Sequence, residues 1–199
     1  MTNDFLNFMK SMEYSAVVQM DTVEGRIGGK VLLTLSFVTS SFMLAYLRDA
    51  NTSKTVTDIF QMLWEVLGKK YFMELFPVIL TDNGSEFTNP DAIEFDEENN
   101  RRTYLFYCHP SSPFEKGAIE NNHEFIRRIL PKGKSFDNLT QNDIQLMLNH
   151  INSYQRKKLN NKSPYETFAF LHGEEVLRRF ESELIPTQDI ILKPELLQN

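Results

Sequence analysis

A chain of 199 residues can build one well-cored domain, and its single cysteine, Cys108, excludes an internal disulfide and suits a reducing, intracellular setting. A net charge of −6 argues mildly against a uniformly basic nucleic-acid binder. The charge is unevenly placed, however: acid collects from Asp91 to Glu98, base from Arg127 to Lys134 and from Arg156 to Lys162, so a local basic track remains available.

Residues 1–13 read as a polar leader, without the basic and apolar segments of a signal peptide. YSAVVQMDTVE, from Tyr14, reads as a strand, followed by a Gly-rich turn over Arg26–Lys30. The uncharged stretch Val31–Leu47 is short for a membrane span and is broken by Thr39-Ser40-Ser41. Its β-branched residues predict two paired, largely buried strands, Val31–Val38 and Phe42–Arg48, and no membrane segment. Val56, Ile59, Phe60, Leu63, Val66 and Leu67 recur at helical spacing, predicting a helix over Ser53–Leu67 with Thr52 or Ser53 as its cap and Gly68 just past its end.

A short buried strand, Val78–Leu80, runs into the turn of LTDNGSEF, and Arg102–Tyr107 reads as a further strand. KGAIENNHEFIRRILPKG predicts a helix beginning after Gly117 and stopping at Pro131, with Ile119, Phe125 and Ile129 on its buried side. Thr140 caps another helix, Thr140–Tyr154, with Leu146, Met147, Leu148 and Ile151 inward. RKKLNNKSPYETF then reads as a basic loop leading to a short helix around Gly173–Glu183, and the last residues, with Pro186 and Pro194, as extended or frayed. The order of elements predicts a mixed α/β layered domain over residues 14–170, with residues 171–199 as a C-terminal helix and tail.

Individual acids are ambiguous. Asp21 follows an apolar strand; it is either a strand-end residue facing solvent or a buried carboxylate that needs a partner or a metal. Asp82 sits in Asp-Asn-Gly, a good turn by itself, and equally at the C-terminal edge of a strand, where α/β proteins build sites. Glu86, in the same loop, reads as a solvated surface acid, with a second carboxylate of the loop as the alternative. Glu120 is either an ordinary first-turn acid or a carboxylate aimed at the sheet edge across the approach Ser111-Ser112-Pro113. Together, two strand-associated aspartates and a helical glutamate can hold a pair of hard divalent cations for in-line phosphoryl displacement. Zinc ligand spacing, a Gly-rich phosphate loop and a nucleophile elbow are all missing, and Cys108 reads as a small buried hydrophobe. His123, one turn from Glu120, either touches phosphate and tunes the site or is an exposed helical histidine. Arg127, Arg128, Lys132 and Lys134, and a second cluster of Arg156, Lys157, Lys158 and Lys162, are candidates for salt-sensitive phosphate contacts.

QMDTVEG, ILTDNGSEF and KGAIENNHEFIRRILPKG, in this order, resemble the catalytic core of DDE transposases and retroviral-type integrases, most of all bacterial insertion-sequence transposases of the thirty type. FYCHPSSPFEKG, SFDNLTQNDIQLMLNHINSY and RKKLNNKSPYETF add to a resemblance running roughly from Tyr14 to Phe168. It implies an RNase H-like fold: a five-stranded mixed sheet flanked by helices, with Asp21 on the first strand, Asp82 just after the fourth and Glu120 on a following helix. It further implies that these three bind two Mg²⁺ ions, with Mn²⁺ as substitute, for hydrolysis at transposon ends and attack by a 3′-hydroxyl on target DNA. Asn83, His123 and Glu124 are candidate supporting residues; many relatives carry Asn where His123 stands. DNA is the implied partner, self-association and a bacterial cytoplasmic setting are the accompanying expectations, and no membrane role is implied. Such transposases begin with a helix-turn-helix region, whereas only a short leader precedes the first strand here, so the expectation is an isolated catalytic domain. An RNase H-like nuclease and a non-catalytic DNA-binding or assembly module derived from a transposase are the alternatives.

Overall fold

The structure is a computed structural model that describes Phe8 and residues 16–108 and 117–197. The polar leader, the start of the first strand at Tyr14 and the approach Ser111-Ser112-Pro113 lie outside the described residues.

Five strands form one mixed sheet in the order β3-β2-β1-β4-β5: β1 Val17–Glu24, β2 Val31–Phe37, β3 Met43–Arg48, β4 Val78–Thr81 and β5 Tyr104–Tyr107. β1–β2 and β2–β3 are antiparallel hairpin pairs; β1–β4 and β4–β5 are parallel. β2 is buried along its whole length, which accounts for the uncharged run that begins at Val31. Its alternate residues feed two cores: Leu33 and Leu35 on one face, Leu32 on the other.

The first core is closed by α1 (Ser53–Leu75), α2 (Pro90–Glu94), α5 (Pro164–His172) and α6 (Glu174–Arg179). The second is closed by α3 (Gly117–Ile129) and α4 (Gln141–Ser153). Thr52 caps α1, its hydroxyl accepting from Thr55 N–H. Gly68 interrupts that helix as expected, with φ of 74°, but a further helical turn sequence follows and buries Phe72 and Leu75 against Phe60 and Phe76. Thr140 and Asp143 form a reciprocal capping box on α4.

β3 is an edge strand, and α4 covers that edge with amide side chains. Asn152 accepts from Met43 N–H and donates to Met43 C=O; Gln141 accepts from Leu47 N–H and donates to Ala45 C=O. These two side chains stand in for a neighbouring strand and remove an aggregation-prone edge.

Three expectations need correction. The basic loop expected before Gly173 contains α5, started by a Ser163–Glu166 capping box with Pro164 in its first turn. Leu146 faces outward on α4, while Ile144 takes the inward position. The last residues, expected as extended or frayed, are extended between short 3₁₀ turns but not frayed: Leu192, Leu196 and Leu197 pack on the second core. Among the described residues, no helix is long and apolar enough to cross a membrane.

Candidate active site

The β1–β4 pairing runs Val17–Val78, Val18–Ile79 and Gln19–Leu80. Extended two residues beyond the last pair, this register brings Asp21, midway along β1, alongside Asp82, the residue just past the end of β4, at about 4.8 Å in backbone spacing. A bond from the Thr81 hydroxyl to Met20 C=O, 3.1 Å, shows the two chains still adjacent at the step before the aspartates. Asp21 is half-buried; its Oδ1 accepts from Thr22 N–H at 2.8 Å. Asp82 is also half-buried, its Oδ1 accepting from Gly84 N–H at 3.1 Å, so the Asp-Asn-Gly turn and the sheet-edge carboxylate are one feature.

Strand alternation puts Gln19, Asp21 and Val23 on the face covered by α3. Four polar contacts lock that helix in place: Gln19 Oε1 accepts from Ile119 N–H at 2.8 Å, Asn122 donates to Ser36 Oγ at 2.6 Å and Ser41 C=O at 3.1 Å, and His123 Nε2 lies 2.8 Å from Thr34 Oγ1. Ile119, Asn122, His123 and Ile126 thus form the sheet-facing stripe, with apolar and polar members at helical spacing. Phe125, expected inward, is half-buried; Ile126 takes the core position, and Ile119 and Ile129 are buried as expected.

The Thr34 hydroxyl has one hydrogen and gives it to Asp21 C=O at 2.9 Å. His123 Nε2 lies 2.8 Å from the same hydroxyl, and its Nδ1 faces Asp21, 4.0 Å from Oδ2, so the ring bridges Thr34 and the Asp21 carboxylate. Glu120 is one helical turn before His123, on the same side of α3, and is exposed. Asp21, Asp82 and Glu120 are thus carried by neighbouring elements. Among the described residues, though, no group of three or more His, Cys, Asp or Glu side chains is gathered closely enough to hold a metal ion as it stands. The donor set, oxygen only and open to solvent at Glu120, fits Mg²⁺, which keeps several waters and needs few carboxylates. Asn83 is exposed and donates to Cys108 C=O at 3.4 Å; Glu124 is exposed one turn beyond Glu120.

Glu86 departs from expectation. It lies in the short 3₁₀ turn Ser85–Phe87 and is only 8% exposed. Arg48, on β3, was not singled out from the sequence and is equally buried. Its guanidinium donates to Thr22 Oγ1, Asn51 Oδ1 and Thr55 Oγ1, tying the strand that carries Asp21 to the start of α1. Burial lowers its pKa to about 10, opposed by the charges of Glu86 and Glu24.

The basic candidates separate. Arg128, Lys132, Lys157 and Lys158 are exposed; Arg127 and Lys134 are half-buried. Arg127 donates to Glu24 C=O at 2.8 Å, and burial lowers its pKa. Arg156 was expected among phosphate contacts but is 7% exposed. Its guanidinium lies 3.6 Å from the Phe125 ring centre and donates to Ile151 and Tyr154 carbonyls at the end of α4. An arginine is long enough to serve as a buried cap, and sequence alone does not distinguish that use from a surface one.

No family model matches the chain. In sequence it is 28% identical over 151 residues to the transposase for insertion sequence element IS4351 of Bacteroides fragilis, covering 76% of this chain and 44% of that protein. It is 31% identical over 93 residues to the transposase InsI for insertion sequence element IS30A of Escherichia coli, covering 47% of this chain and 23% of that protein. The chain spans less than half the length of these curated relatives. In fold it is similar to the catalytic core domain of BIV integrase, with a TM-score of 0.54 and 17% identity, covering 84% of this chain and 99% of that one. The chain is therefore similar in sequence to insertion-sequence transposases over part of their length, and it has the fold of an integrase catalytic core.

Proposed function

We propose that the chain is a divalent-cation-dependent catalytic core for DNA strand cleavage and transfer, acting at transposon ends and joining a 3′-hydroxyl to target DNA. The observation that supports this most is the β1–β4 register, which continues toward Asp21 and Asp82, with α3 held over Asp21 through the His123–Thr34 contact. Asp21, Asp82 and Glu120 are the ligands for two Mg²⁺ or Mn²⁺ ions. When bound, such ions neutralise charge on the phosphate under attack and on the attacking and leaving oxygens. The protein's own part is to carry one carboxylate on β1, one just past the end of β4 and the third on a helix pinned to the sheet, with Glu120 turning inward when the ions bind.

Arg128, Lys132, Lys157 and Lys158, with the half-buried Arg127 and Lys134, contact backbone phosphates; these contacts position DNA without reading its sequence. Arg156 acts beneath them, supporting the Phe125 surface. The relatives' names place them in transposition, which supports DNA as the substrate of this chain.

A product assay tests the proposal. The chain, given DNA ends and Mn²⁺ or Mg²⁺, yields joined strands, and Asp82→Asn yields none while keeping its fold. Free ends without joining point to a hydrolase, DNA binding without products to an assembly module, and full activity in Asp82→Asn contradicts the proposal.

A further inference from the structure

Glu86 is a carboxylate with an unusual environment. It is more than nine-tenths buried, and among the described residues its side chain has no hydrogen-bond or ion-pair partner. It folds back onto the turn that holds Asp82: a Cβ placed on Gly84 would lie 2.5 Å from Glu86 Oε2 and 3.2 Å from Asp82 Oδ1. Both carboxylates therefore converge on the same side of the Gly84 backbone, which leaves room for them only because residue 84 has no side chain.

Two ionised carboxylates this close repel each other. The fixed charge whose field reaches Glu86 is Arg48. Its Nη donors are already committed to Thr22, Asn51 and Thr55, and no ion pair joins it to Glu86. Arg48 softens the repulsion without supplying a ligand to the carboxylate. A hard cation at Asp82 satisfies both acids at once, because carboxylate oxygens are its preferred ligands.

We propose that Glu86 is a fourth carboxylate of the divalent-cation site, holding a cation jointly with Asp82. This rests on the reading of Asp82 as a metal ligand. It adds a residue that comes from the buried side of the sheet edge, opposite α3, and it assigns a role to Gly84 as the gap through which Glu86 reaches.

Mn²⁺ titration of the 199-residue chain, followed by calorimetry and by the rise in unfolding temperature, tests this without any activity measurement. Glu86→Gln retains shape and removes the charge. It is expected to weaken Mn²⁺ binding roughly tenfold or more, the loss typical of a metal-site supporting residue, and to leave the metal-free unfolding temperature equal or higher. Glu86→Asp, which keeps the charge and shortens the reach, is expected to lose part of the affinity and gives the answer if the Gln variant does not fold. Unchanged Mn²⁺ affinity in a folded Glu86 variant, with affinity lost in Asp82→Asn, overturns the role of Glu86 and spares that of Asp82. No Mn²⁺ binding by the unaltered chain overturns both.

Discussion

His123 Nδ1 stands 4.0 Å from Asp21 Oδ2, while its Nε2 lies 2.8 Å from the Thr34 hydroxyl. Thr34 lies directly across from Asp21 in the β1–β2 register and donates to the Asp21 carbonyl. One hydroxyl thus fixes both the backbone of the first carboxylate and the ring on α3 that faces it. Thr34→Val preserves shape but leaves buried polar groups without this partner. Urea unfolding is expected to show a loss of about 1–3 kcal/mol, and an intact stability would mean that the chain from His123 to Asp21 is not a structural link.

The two kinds of arginine and lysine in the basic segments are expected to behave differently. Arg156→Ala removes the stack on Phe125 and the cap on α4, and is expected to destabilise by about 2 kcal/mol. Lys132→Ala and Lys157→Ala are expected to change stability by less than about 0.5 kcal/mol. Each should instead lower DNA affinity and reduce the slope of log affinity against log salt by about 1. Stability and salt-dependent binding measured on the same three variants check this; a stable Arg156→Ala with reduced DNA binding would restore Arg156 to the DNA surface.

Gly25, at the end of β1, packs against the loop after α3. A Cβ there would lie 2.2 Å from the Lys134 carbonyl oxygen and 2.9 Å from the Phe136 ring. Because the first obstacle is backbone, Gly25→Ala is expected to cost about 1–3 kcal/mol in thermal or urea unfolding. A neutral substitution would show that this loop yields easily.

A buried histidine, His150, and a half-buried one, His172, set the response to acid. His150 Nδ1 accepts from Ile191 N–H at 3.1 Å, and burial lowers its pKa, opposed by Asp189. Burial likewise lowers that of His172, opposed by Glu74. The unfolded chain takes up these protons first, near pH 6.5, so their contribution is complete above that value and is lost as pH falls toward the folded-state pKa values. Unfolding followed from about pH 7.5 to 5 is expected to show falling stability, with a shallower fall in His150→Gln. A stability that rises on acidification would contradict the burial of these rings.

Much of the layout was legible because its signals are local. The β-branched run after Val31, the Thr140 cap and the stop at Pro131 each follow from propensity or capping alone. Asp21 and Asp82 were found together only through their order along the chain; the parallel register that sets them side by side is a long-range pairing. Helix α5 carried a readable signal, Ser163-Pro164-Tyr165-Glu166, that the surrounding lysines obscured. The burial of Glu86, Arg48 and Arg156 was not legible, because side-chain type predicts exposure for charged residues and only tertiary contacts reverse it.

The central claim is that Asp21 and Asp82 share a divalent cation. A crystal of the chain soaked in Mn²⁺ measures this directly. The account predicts anomalous density at roughly 2.1 Å from a carboxylate oxygen of each aspartate, with Glu120 turned toward it. Saturating Mn²⁺ with no density between the two aspartates would contradict it.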